Sequence, residues 1–416
     1  MTDNISILHI STADNLGGSS RSAYRIHTGL KKIGLKSRML AGTRLTDDAD
    51  IGLIFRNKKW YILDQAFGKI ANFMGLQYLF YPSSFRLKYH AWFKEADIIQ
   101  LYNTHGGYFS HLALPGISKR KPIIWRLSDM WPMTGHCAYS YDCERFKIGC
   151  GLCPYLSEYP SLKRDTTALL WKVKNWIYKR LNIIIVAPSK WIADLARQSP
   201  LTSRFKICII PNGLDIQIFK PVKKEIARKA LDIDLDKKVV FFSAHSVKDH
   251  RKGGVLLKEA LSKLAKKNIQ NVILLVAGSE SESYANEFDF PVKHVNFISN
   301  DTMMVNMYSA SDVFVLPTLA DNLPNGIIES MACGTPVVSF NVGGVPDIIK
   351  HMKTGYLARY KDSDDLAEGI KILLEDNNLR NSLSNQCRKL IEQEYSSDLQ
   401  AERFKSLYED FLKNGK

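Results

Sequence analysis

Residues 316–347 read LPTLADNLPNGIIESMACGTPVVSFNVGGVPD, and this stretch decides the fold class. The apolar run from Val313 to Pro317 predicts a buried parallel strand, and Asn325 is expected to cap a helix that ends at Gly334. Free backbone N–H groups at such a helix start favour an anion. A second buried strand is expected over 335–340. The pattern indicates a βαβ unit with an anion site, although an ordinary structural βαβ unit would share it.

Two acidic residues, Asp321 and Glu329, bracket the start of this helix with seven residues between them. Together with the following SMACGTPVVSFNVGGVPDII, they resemble the E-x7-E signature of the retaining GT-B glycosyltransferases of family GT4. The resemblance implies that Glu329 binds the ribose hydroxyls of a nucleotide-sugar and that Asp321 contacts the donor sugar. It also implies that the backbone amides of Asn325, Gly326 and Ile327 meet the phosphates. Asp321 is one methylene shorter than the glutamate usual in the family.

The middle of the chain carries a second family feature. The run IPNGLD at 210–215, followed by a Phe and a Pro, resembles the PNGVD-x3-F-x-P linker of the same family. Alternating strand and helix patterns lie on both sides of it. The resemblance implies the GT-B fold, with two Rossmann-like doubly wound α/β domains and a ligand cleft between them. We expect an acceptor-binding domain over 1–210, a nucleotide-sugar-binding domain over 211–395, and a helix over 396–416 that crosses back to the first domain.

A basic loop follows the first predicted strand of the second domain, where the family has an Arg-x(n)-Lys-Gly loop. Lys252 matches the family lysine, and a cation there would stabilise a leaving diphosphate. The matching arginine position falls around Ala244 and His245. The second charge is therefore expected from Arg251 or Lys248. An ordinary solvated loop is the alternative for these basic residues.

The first domain offers candidates for the acceptor side. Gly17 and Gly18 resemble the family's glycine-rich loop, where donor phosphates and acceptor approach the backbone. His105 follows a predicted strand and is a candidate to orient an acceptor hydroxyl, with a structural role as the alternative. In the segment WRLSDMWP, relatives often read Leu-His-Asp-Met-Trp. Ser128 replaces that histidine, which leaves Asp129 as the polar candidate for catalysis or acceptor binding.

The resemblance also sets expectations for donor and cofactors. Contacts to the base are expected from the backbone around Phe297 and Ile298, and the sequence does not distinguish a UDP-sugar from a GDP-sugar. In this family the acceptor attacks on the face from which the phosphate leaves, and the leaving phosphate takes the acceptor's proton. Neither a protein base nor a catalytic metal is therefore expected. The acceptor is expected to be a glycan or a lipid-linked glycan of polysaccharide biosynthesis.

A Cys-rich insertion over about 136–153 has four thiols within a short segment. The spacing is Cys137-x5-Cys143-x6-Cys150-x2-Cys153. A segment that ends in C-x2-C is typical of tetrahedral zinc, and a structural site would use all four sulfurs. The sequence therefore predicts a structural zinc that braces an acceptor loop, with paired or free thiols as the alternative.

The positive charge of the chain is concentrated in its first half. Residues 1–200 carry 28 Lys and Arg against 14 Asp and Glu, whereas residues 201–416 carry 29 against 28. Between 51 and 96, cations alternate with aromatic residues, which suits an anionic membrane surface, with core packing of the aromatic residues as the alternative. No apolar run is long enough to span a bilayer, and the N-terminus lacks a signal-peptide pattern. A cytoplasmic protein that binds the membrane peripherally is expected.

Two other kinds of protein fit parts of the sequence. A different GT-B sugar-nucleotide enzyme, such as an epimerase or a phosphorylase-like protein, would share the fold. A zinc-containing nucleic-acid-binding protein would share the basic first half and the Cys-rich insertion. Within that insertion, however, Arg145 and Lys147 are balanced by Asp142 and Glu144. This balance does not favour a phosphate backbone, so no nucleic-acid partner is expected.

Overall fold

The chain folds into two compact units. One unit combines Met1–Gly213 with Ser397–Lys416, and the other is Leu214–Ser396. The computed structural model of the protein describes residues 5–55, 57–266, 271–288, 291–296 and 300–414.

Within the described residues, the first unit contains a seven-stranded parallel sheet in the order β3-β2-β1-β4-β5-β6-β7. Its strands are β1 (Ser6–Ala13), β2 (Lys36–Thr43), β3 (Ile51–Leu53), β4 (Ile98–Leu101), β5 (Ile123–Arg126), β6 (Ile183–Ala187) and β7 (Lys206–Ile209). The central strands β4, β5 and β6 are buried along their whole length, as expected of a parallel sheet covered on both faces. Ile7 of β1 pairs with Ser37 on one side and Ile98 on the other.

Helices follow most strands of this sheet. They are α1 (Gly17–Lys32), α2 (Lys58–Phe73), α3 (Pro82–Arg86), α4 (Ala91–Glu95), α5 (Leu114–Ser118), α6 (Thr167–Tyr178) and α7 (Lys190–Gln198). The glycine pair expected in a loop lies instead in the first turn of α1, because Gly17 already begins that helix. The carboxyl ends of the strands and the starts of the following helices lie on one edge of the sheet, where parallel α/β folds bind ligands.

The second unit repeats this plan with a parallel sheet in the order β10-β9-β8-β11-β12-β13. Its strands are β8 (Lys238–Ser246), β9 (Val272–Ser279), β10 (Val292–Val295), β11 (Val313–Leu316), β12 (Val337–Phe340) and β13 (Gly355–Ala358). Its helices are α8 (Lys224–Ala230), α9 (Gly254–Lys266), α10 (Ser281–Ala285), α11 (Asp301–Ala310), α12 (Asn325–Ala332), α13 (Val345–Ile348), α14 (Ser363–Glu375) and α15 (Asn377–Glu394).

The last helix, α16 (Ser397–Asn414), belongs to the first unit and packs on α1. Gly29 of α1 lies at this contact, beside Ser397 and Ala401 of α16. Lys32 Nζ also lies 2.7 Å from Asp398 Oδ1. Phe404 and Tyr408 join the core beneath β1, so the C-terminal segment contributes apolar surface as well as charge.

The two parallel sheets confirm the predicted α/β doubly wound class. The strand patterns missed β3, β10 and β13, which all lie at the edges of their sheets. Edge strands are short and partly exposed, so their sequences lack the continuous apolar run that marks a buried strand. No helix in the described ranges is long and apolar enough to cross a membrane.

Candidate functional site

The segment that carries the two acids has a strand, a loop and a helix start. The four residues of β11 are fully buried and end at Leu316. The helix α12 begins at Asn325 itself, with Pro324 in extended backbone at the N-cap position and no side-chain capping bond. The expected Asn325 cap is therefore wrong, because the fixed φ of Pro324 already sets the turn into the helix. Asp321 lies in the loop between these elements.

Asp321 accepts hydrogen bonds from both cations of the basic loop. Lys252 Nζ lies 2.6 Å from Asp321 Oδ2, and Arg251 Nη1 lies 3.1 Å from the same oxygen. These three residues form the charge-paired cluster. Arg251 Nη2 also lies 3.3 Å from Asp249 Oδ2. Lys248, the other candidate for the second charge, instead lies 3.8 Å from Glu287 Oε1. The structure thus places Arg251, and not Lys248, beside Lys252.

Two glycines fix the backbone around the charge-paired cluster. Gly253 has φ +71°, and a Cβ there would lie 1.9 Å from the carbonyl oxygen of Pro317. Gly343 has φ +58°, and a Cβ there would lie 2.1 Å from the carbonyl oxygen of Asp321. The next amide, of Gly344, donates to that same oxygen at 3.0 Å. The glycines therefore bring the basic loop and the turn after β12 into direct contact with the acid-bearing loop.

The cluster holds its charges by mutual pairing. Burial alone would raise the pKa of Asp321, but Lys252 and Arg251 together hold that pKa below its ordinary value. Burial lowers the pKa of Lys252, as does the neighbouring Arg251, while Asp321 opposes both. Asp321 is therefore ionised at neutral pH. An anionic ligand would have to displace this carboxylate in order to pair with the two cations.

The second acid is buried in the same unit. Glu329 lies on α12, and Tyr308 OH donates to Glu329 Oε2 at 3.2 Å. Gly326 and Ile327 form the first turn of α12, where the amide of Ile327 donates to the carbonyl oxygen of Pro324 at 3.2 Å. A phosphate at this turn would share that amide. Phe297 and Ile298, the expected base contacts, lie outside the described residues.

In the first unit, the glycine turn is tied to the segment that contains Ser128. Gly17 has φ +71°, and a Cβ there would meet no atom within 4 Å, so its backbone is open to approach. Gly18 follows it in the same turn. Ser19 Oγ lies 2.7 Å from Ser128 Oγ, and Arg126 Nη1 donates to Ser128 Oγ at 3.3 Å. Ser128 thus connects the end of β5 to the start of α1.

The two acceptor candidates lie side by side in a buried group. His105 Nε2 lies 3.4 Å from Asp129 Oδ2. The His105 ring stacks on Trp131 with 5.2 Å between centroids, and Lys174 Nζ lies 3.3 Å from the centroid of the Trp131 ring. Lys174 also donates to the carbonyl oxygens of Trp131 at 2.6 Å and Thr134 at 3.0 Å. His105, Asp129, Trp131 and Lys174 form the aromatic cluster.

Burial controls protonation in the aromatic cluster. It lowers the pKa of His105, against the opposing effect of Asp129, and lowers the pKa of Lys174 to about 7. Neither ring nitrogen of His105 and no side-chain nitrogen of Trp131 has a hydrogen-bond partner among the described residues. Leaving such a group unpaired costs about 1–3 kcal/mol, and unpaired groups in native proteins often mark functional sites.

The four cysteines of the insertion line one pocket, together with His136. All four are free thiols. The amide of Gly135 donates to Cys150 Sγ at 3.1 Å, and His136 Nε2 lies 3.2 Å from Cys153 Sγ. As placed, no three His, Cys, Asp or Glu side chains in the described part of the chain form a group that could hold a metal ion. Zinc at this pocket stays a prediction.

Two members of the aromatic cluster carry no assigned role in the sequence pattern. Trp131 stands in the DMWP segment, and Lys174 lies on α6. Lys174 follows the buried Leu170 by four residues and precedes the buried Tyr178 by four. A lysine on the apolar stripe of a helix is the signal that could have identified it.

Comparisons with solved structures define the fold. A sucrose-phosphate synthase from Thermosynechococcus elongatus is 19% identical with a TM-score of 0.71, over 98% of this chain and 99% of that chain. HepE of Anabaena, crystallised with UDP and glucose, is 17% identical with a TM-score of 0.68, over 98% and 100%. These likenesses confirm the GT-B fold.

Comparisons with sequences cover a smaller part of the chain. Residues 223–390 match the family model "Glycosyl transferases group 1". The capsular polysaccharide biosynthesis glycosyltransferase CapM of Staphylococcus aureus is 29% identical over 238 residues, which are 55% of this chain and 62% of that protein. The chain therefore spans about three fifths of the length of this curated relative. The charge-paired cluster and Glu329 lie inside the matched segment.

Proposed function

We propose that the protein is a retaining glycosyltransferase of polysaccharide biosynthesis that acts on the cytoplasmic side of the membrane. It moves a sugar from a UDP- or GDP-sugar onto a glycan or lipid-linked glycan without a catalytic metal. The observation that carries this proposal is the charge-paired cluster, where two cations and Asp321 meet within a segment that matches the group 1 model. The UDP bound to HepE and the capsular role in the name of CapM support the choice of donor and pathway.

The second unit binds the donor. Glu329 accepts the ribose hydroxyls, Asp321 contacts the sugar, and the first turn of α12 faces the phosphates. Lys252 and Arg251 neutralise charge on the diphosphate as it leaves, and such placed charges contribute most where charge develops in the transition state. When the donor is absent, Asp321 compensates the same two cations.

The first unit binds the acceptor, and its open backbone at Gly17 and Gly18 suits a ligand phosphate. His105 and Asp129 orient the acceptor hydroxyl. In the transfer, the bond between the sugar C1 and the diphosphate oxygen breaks, and a bond from C1 to the acceptor oxygen forms on the same face. The acceptor proton passes to the leaving diphosphate. No protein base is required for this balance.

Replacement of Glu329 tests the donor site. A thermal-shift screen of nucleoside diphosphates first selects the base, because a ligand at 100 times its dissociation constant stabilises by about 2.7 kcal/mol. Calorimetry should then show that Glu329→Ala weakens the selected nucleotide at least about 30-fold, since each of two unpaired hydroxyls costs about 1–3 kcal/mol. Tyr308→Phe removes the hydrogen bond to Glu329 but keeps the carboxylate, and it should change affinity far less. Unchanged affinity in Glu329→Ala would exclude the assignment.

Product analysis separates transfer from the other GT-B reactions. Release of the nucleoside diphosphate should depend on an added acceptor, and the product should keep the donor's anomeric configuration by NMR. An epimerase would change the nucleotide-sugar without any acceptor, and a phosphorylase-like enzyme would need inorganic phosphate. Either result would overturn the proposal.

A further inference from the structure

The helix α2 has its apolar side chains on the outside. Its buried residues are Asp64, Gly68 and Ala71, which recur at the helical spacing of four and three residues. Asp64 accepts a hydrogen bond from the amide of Ser83 at 3.0 Å, and Gly68 lies so close to Tyr81 that a Cβ would be 2.6 Å from its hydroxyl oxygen. The inward face of α2 is therefore polar or small.

The outward face of α2 carries large apolar side chains, with Phe73 64% exposed and Ile70 59% exposed. The exposed apolar residues of this helix are Tyr61, Ile62, Leu63, Phe67, Ile70 and Phe73. A monomeric protein in water would normally bury such a face. The aromatic residues of 51–96 therefore fall into two groups. Tyr78 and Tyr81 are buried in the core, whereas Phe67 and Phe73 are exposed.

Cations lie beside this face, and its own segment of the chain lacks exposed acids. Residues 57–94 contain six Lys and Arg and a single acid, which is the buried Asp64. The guanidinium carbon of Arg86 lies 4.8 Å from the centroid of the Trp60 ring of α2, and that of Arg164 lies 5.5 Å from the centroid of Phe73. No carboxylate of the described residues pairs with Lys58, Lys59 or Lys69.

We propose that the exposed face of α2, with its surrounding cations, docks the first unit on an anionic phospholipid bilayer. The apolar side chains enter the boundary between headgroups and acyl chains, and the cations meet lipid phosphates. Charge complementarity selects this occupant, because a second copy of the chain would bring an equally basic surface against it. The contact is peripheral, since no helix of the described residues could span the membrane.

Vesicle flotation with the full chain tests this docking. The protein should float with vesicles that contain phosphatidylcholine and phosphatidylglycerol, and should not float with phosphatidylcholine alone. Added salt should weaken the binding, because exposed charges are screened beyond about 10 Å at 0.1 M salt. Equal binding to both vesicle types, or to neither, would overturn the proposal.

Paired variants assign the binding to α2. Ile70→Ser with Phe73→Ser should weaken binding at least about tenfold through lost apolar area. Lys58→Gln with Lys59→Gln should weaken it about fivefold for each lysine removed. The controls are Leu235→Ser and Lys229→Gln, which alter exposed residues of the second unit and should bind as the unchanged protein does.

Folding and self-association are measured on the same variants. Their unfolding temperatures and nucleotide affinities should match those of the unchanged protein, because the replaced side chains are exposed. Retained vesicle binding in the α2 variants would overturn the proposal. So would sedimentation showing that the unchanged protein forms a dimer that the α2 variants lose while no vesicle binding is seen.

Discussion

The charge-paired cluster and the aromatic cluster hold buried polar groups in opposite ways. In the second unit, Lys252 and Arg251 both meet the ionised Asp321, so charge is balanced by charge. In the first unit, Lys174 meets carbonyl oxygens and the face of Trp131, and His105 has no hydrogen-bond partner among the described residues. There, burial shifts the groups toward their neutral forms.

This difference predicts different responses to ligands and to pH. A charge-paired cluster can exchange its internal carboxylate for a phosphate at little cost, since the cations are paired before and after. In the aromatic cluster the cations are shifted toward their neutral forms, so it suits a neutral hydroxyl that can hydrogen-bond a ring nitrogen of His105. The first should therefore respond to anions and the second to proton concentration.

Metal content has the largest expected effect and would change the comparison itself. Burial raises the pKa of Cys137 to about 12 and of Cys150 to about 11, so without metal these two thiols are neutral. Zinc would deprotonate the thiols, and binding in isolated zinc-finger peptides contributes about 10–16 kcal/mol. Reduced, freshly purified protein should contain about one zinc per chain, and chelation should lower its unfolding temperature. Less than about half an equivalent contradicts the prediction.

Removal of the lysine from the charge-paired cluster should have the next largest effect. Lys252→Met should lower kcat about 100-fold to 1000-fold, because a lost charge at the leaving group costs about 3–4 kcal/mol in comparable sites. Lys248→Met is the matched control on the same loop, since Lys248 lies near Glu287 instead. Steady-state kinetics with a fixed acceptor measures both. Equal losses in the two variants would show that the loop acts through its general charge.

Exchange of the carboxylate is tested by Asp321→Asn. Without Asp321, the carboxylate that pairs with both Arg251 and Lys252 no longer competes with a diphosphate, so UDP should bind about tenfold more tightly. Sugar transfer should fall at the same time, because the donor-sugar contact is lost. Asp249→Asn is the control, since Asp249 forms an ion pair with Arg251 but not with Lys252 and is more exposed to solvent than Asp321. Weaker UDP binding in Asp321→Asn would mean that Asp321 supports the nucleotide site.

Lys174 of the aromatic cluster should make the free energy of unfolding depend on pH. In the metal-free folded chain, burial lowers the pKa of Lys174 to about 7, so above this pH the unfolded chain binds a proton that the folded chain does not. Stability should therefore rise with pH from about 7 towards the ordinary lysine pKa, by at most about 1.4 kcal/mol per pH unit, and this slope should disappear below about 7.

The difference between the unchanged protein and Lys174→Met isolates this slope. Denaturant unfolding across the pH range measures it, and Lys172→Met, an exposed change on the same helix, should leave the slope in place. A slope that persists in Lys174→Met would show that other groups cause it.

Much of the fold could be predicted because the central strands are continuous apolar runs that glycine turns separate. Three of the four edge strands were missed, and β10, for example, contains Lys293 and His294 within four residues. The pairing of Asp321 with Lys252 depends on two non-local contacts, in which Gly253 meets Pro317 and Gly343 meets Asp321. Family resemblance supplied the residues of this cluster, and physical reasoning from spacing alone could not have paired them.

The aromatic cluster was less predictable, because its members come from separate elements and share no spacing rule. His105 and Asp129 were candidates, but nothing in the sequence places Lys174 under the ring of Trp131. The aromatic residues near α2 were ambiguous for a related reason. Which of them are buried depends on the small residues Gly68 and Ala71, and these set the inward face only after the helix has packed.

The smallest effect is expected for His105, whose titration should not appear in the pH dependence of kcat/KM. Burial lowers the pKa of His105, and Asp129 only partly opposes this shift, so the ring stays neutral when the pH rises through the usual histidine range. We therefore expect that kcat/KM of the unchanged protein shows no step due to His105 between about pH 6 and 8. The pH profile of His105→Gln should have the same shape. His105→Gln should raise the acceptor KM, because glutamine places its hydrogen-bonding group differently.

The step itself decides between the two kinds of cluster. A step near pH 6.5 that disappears in His105→Gln would mean that the histidine carries a proton during turnover, with Asp129 holding its charge as Asp321 holds that of Lys252. In that case Asp129→Asn should move the step to lower pH, because the charge that raises the pKa of His105 would be gone. If kcat/KM is independent of pH in the unchanged protein, in His105→Gln and in Asp129→Asn, then His105 stays neutral during turnover. Charge pairing of the kind seen at Asp321 would then be restricted to the proposed donor site.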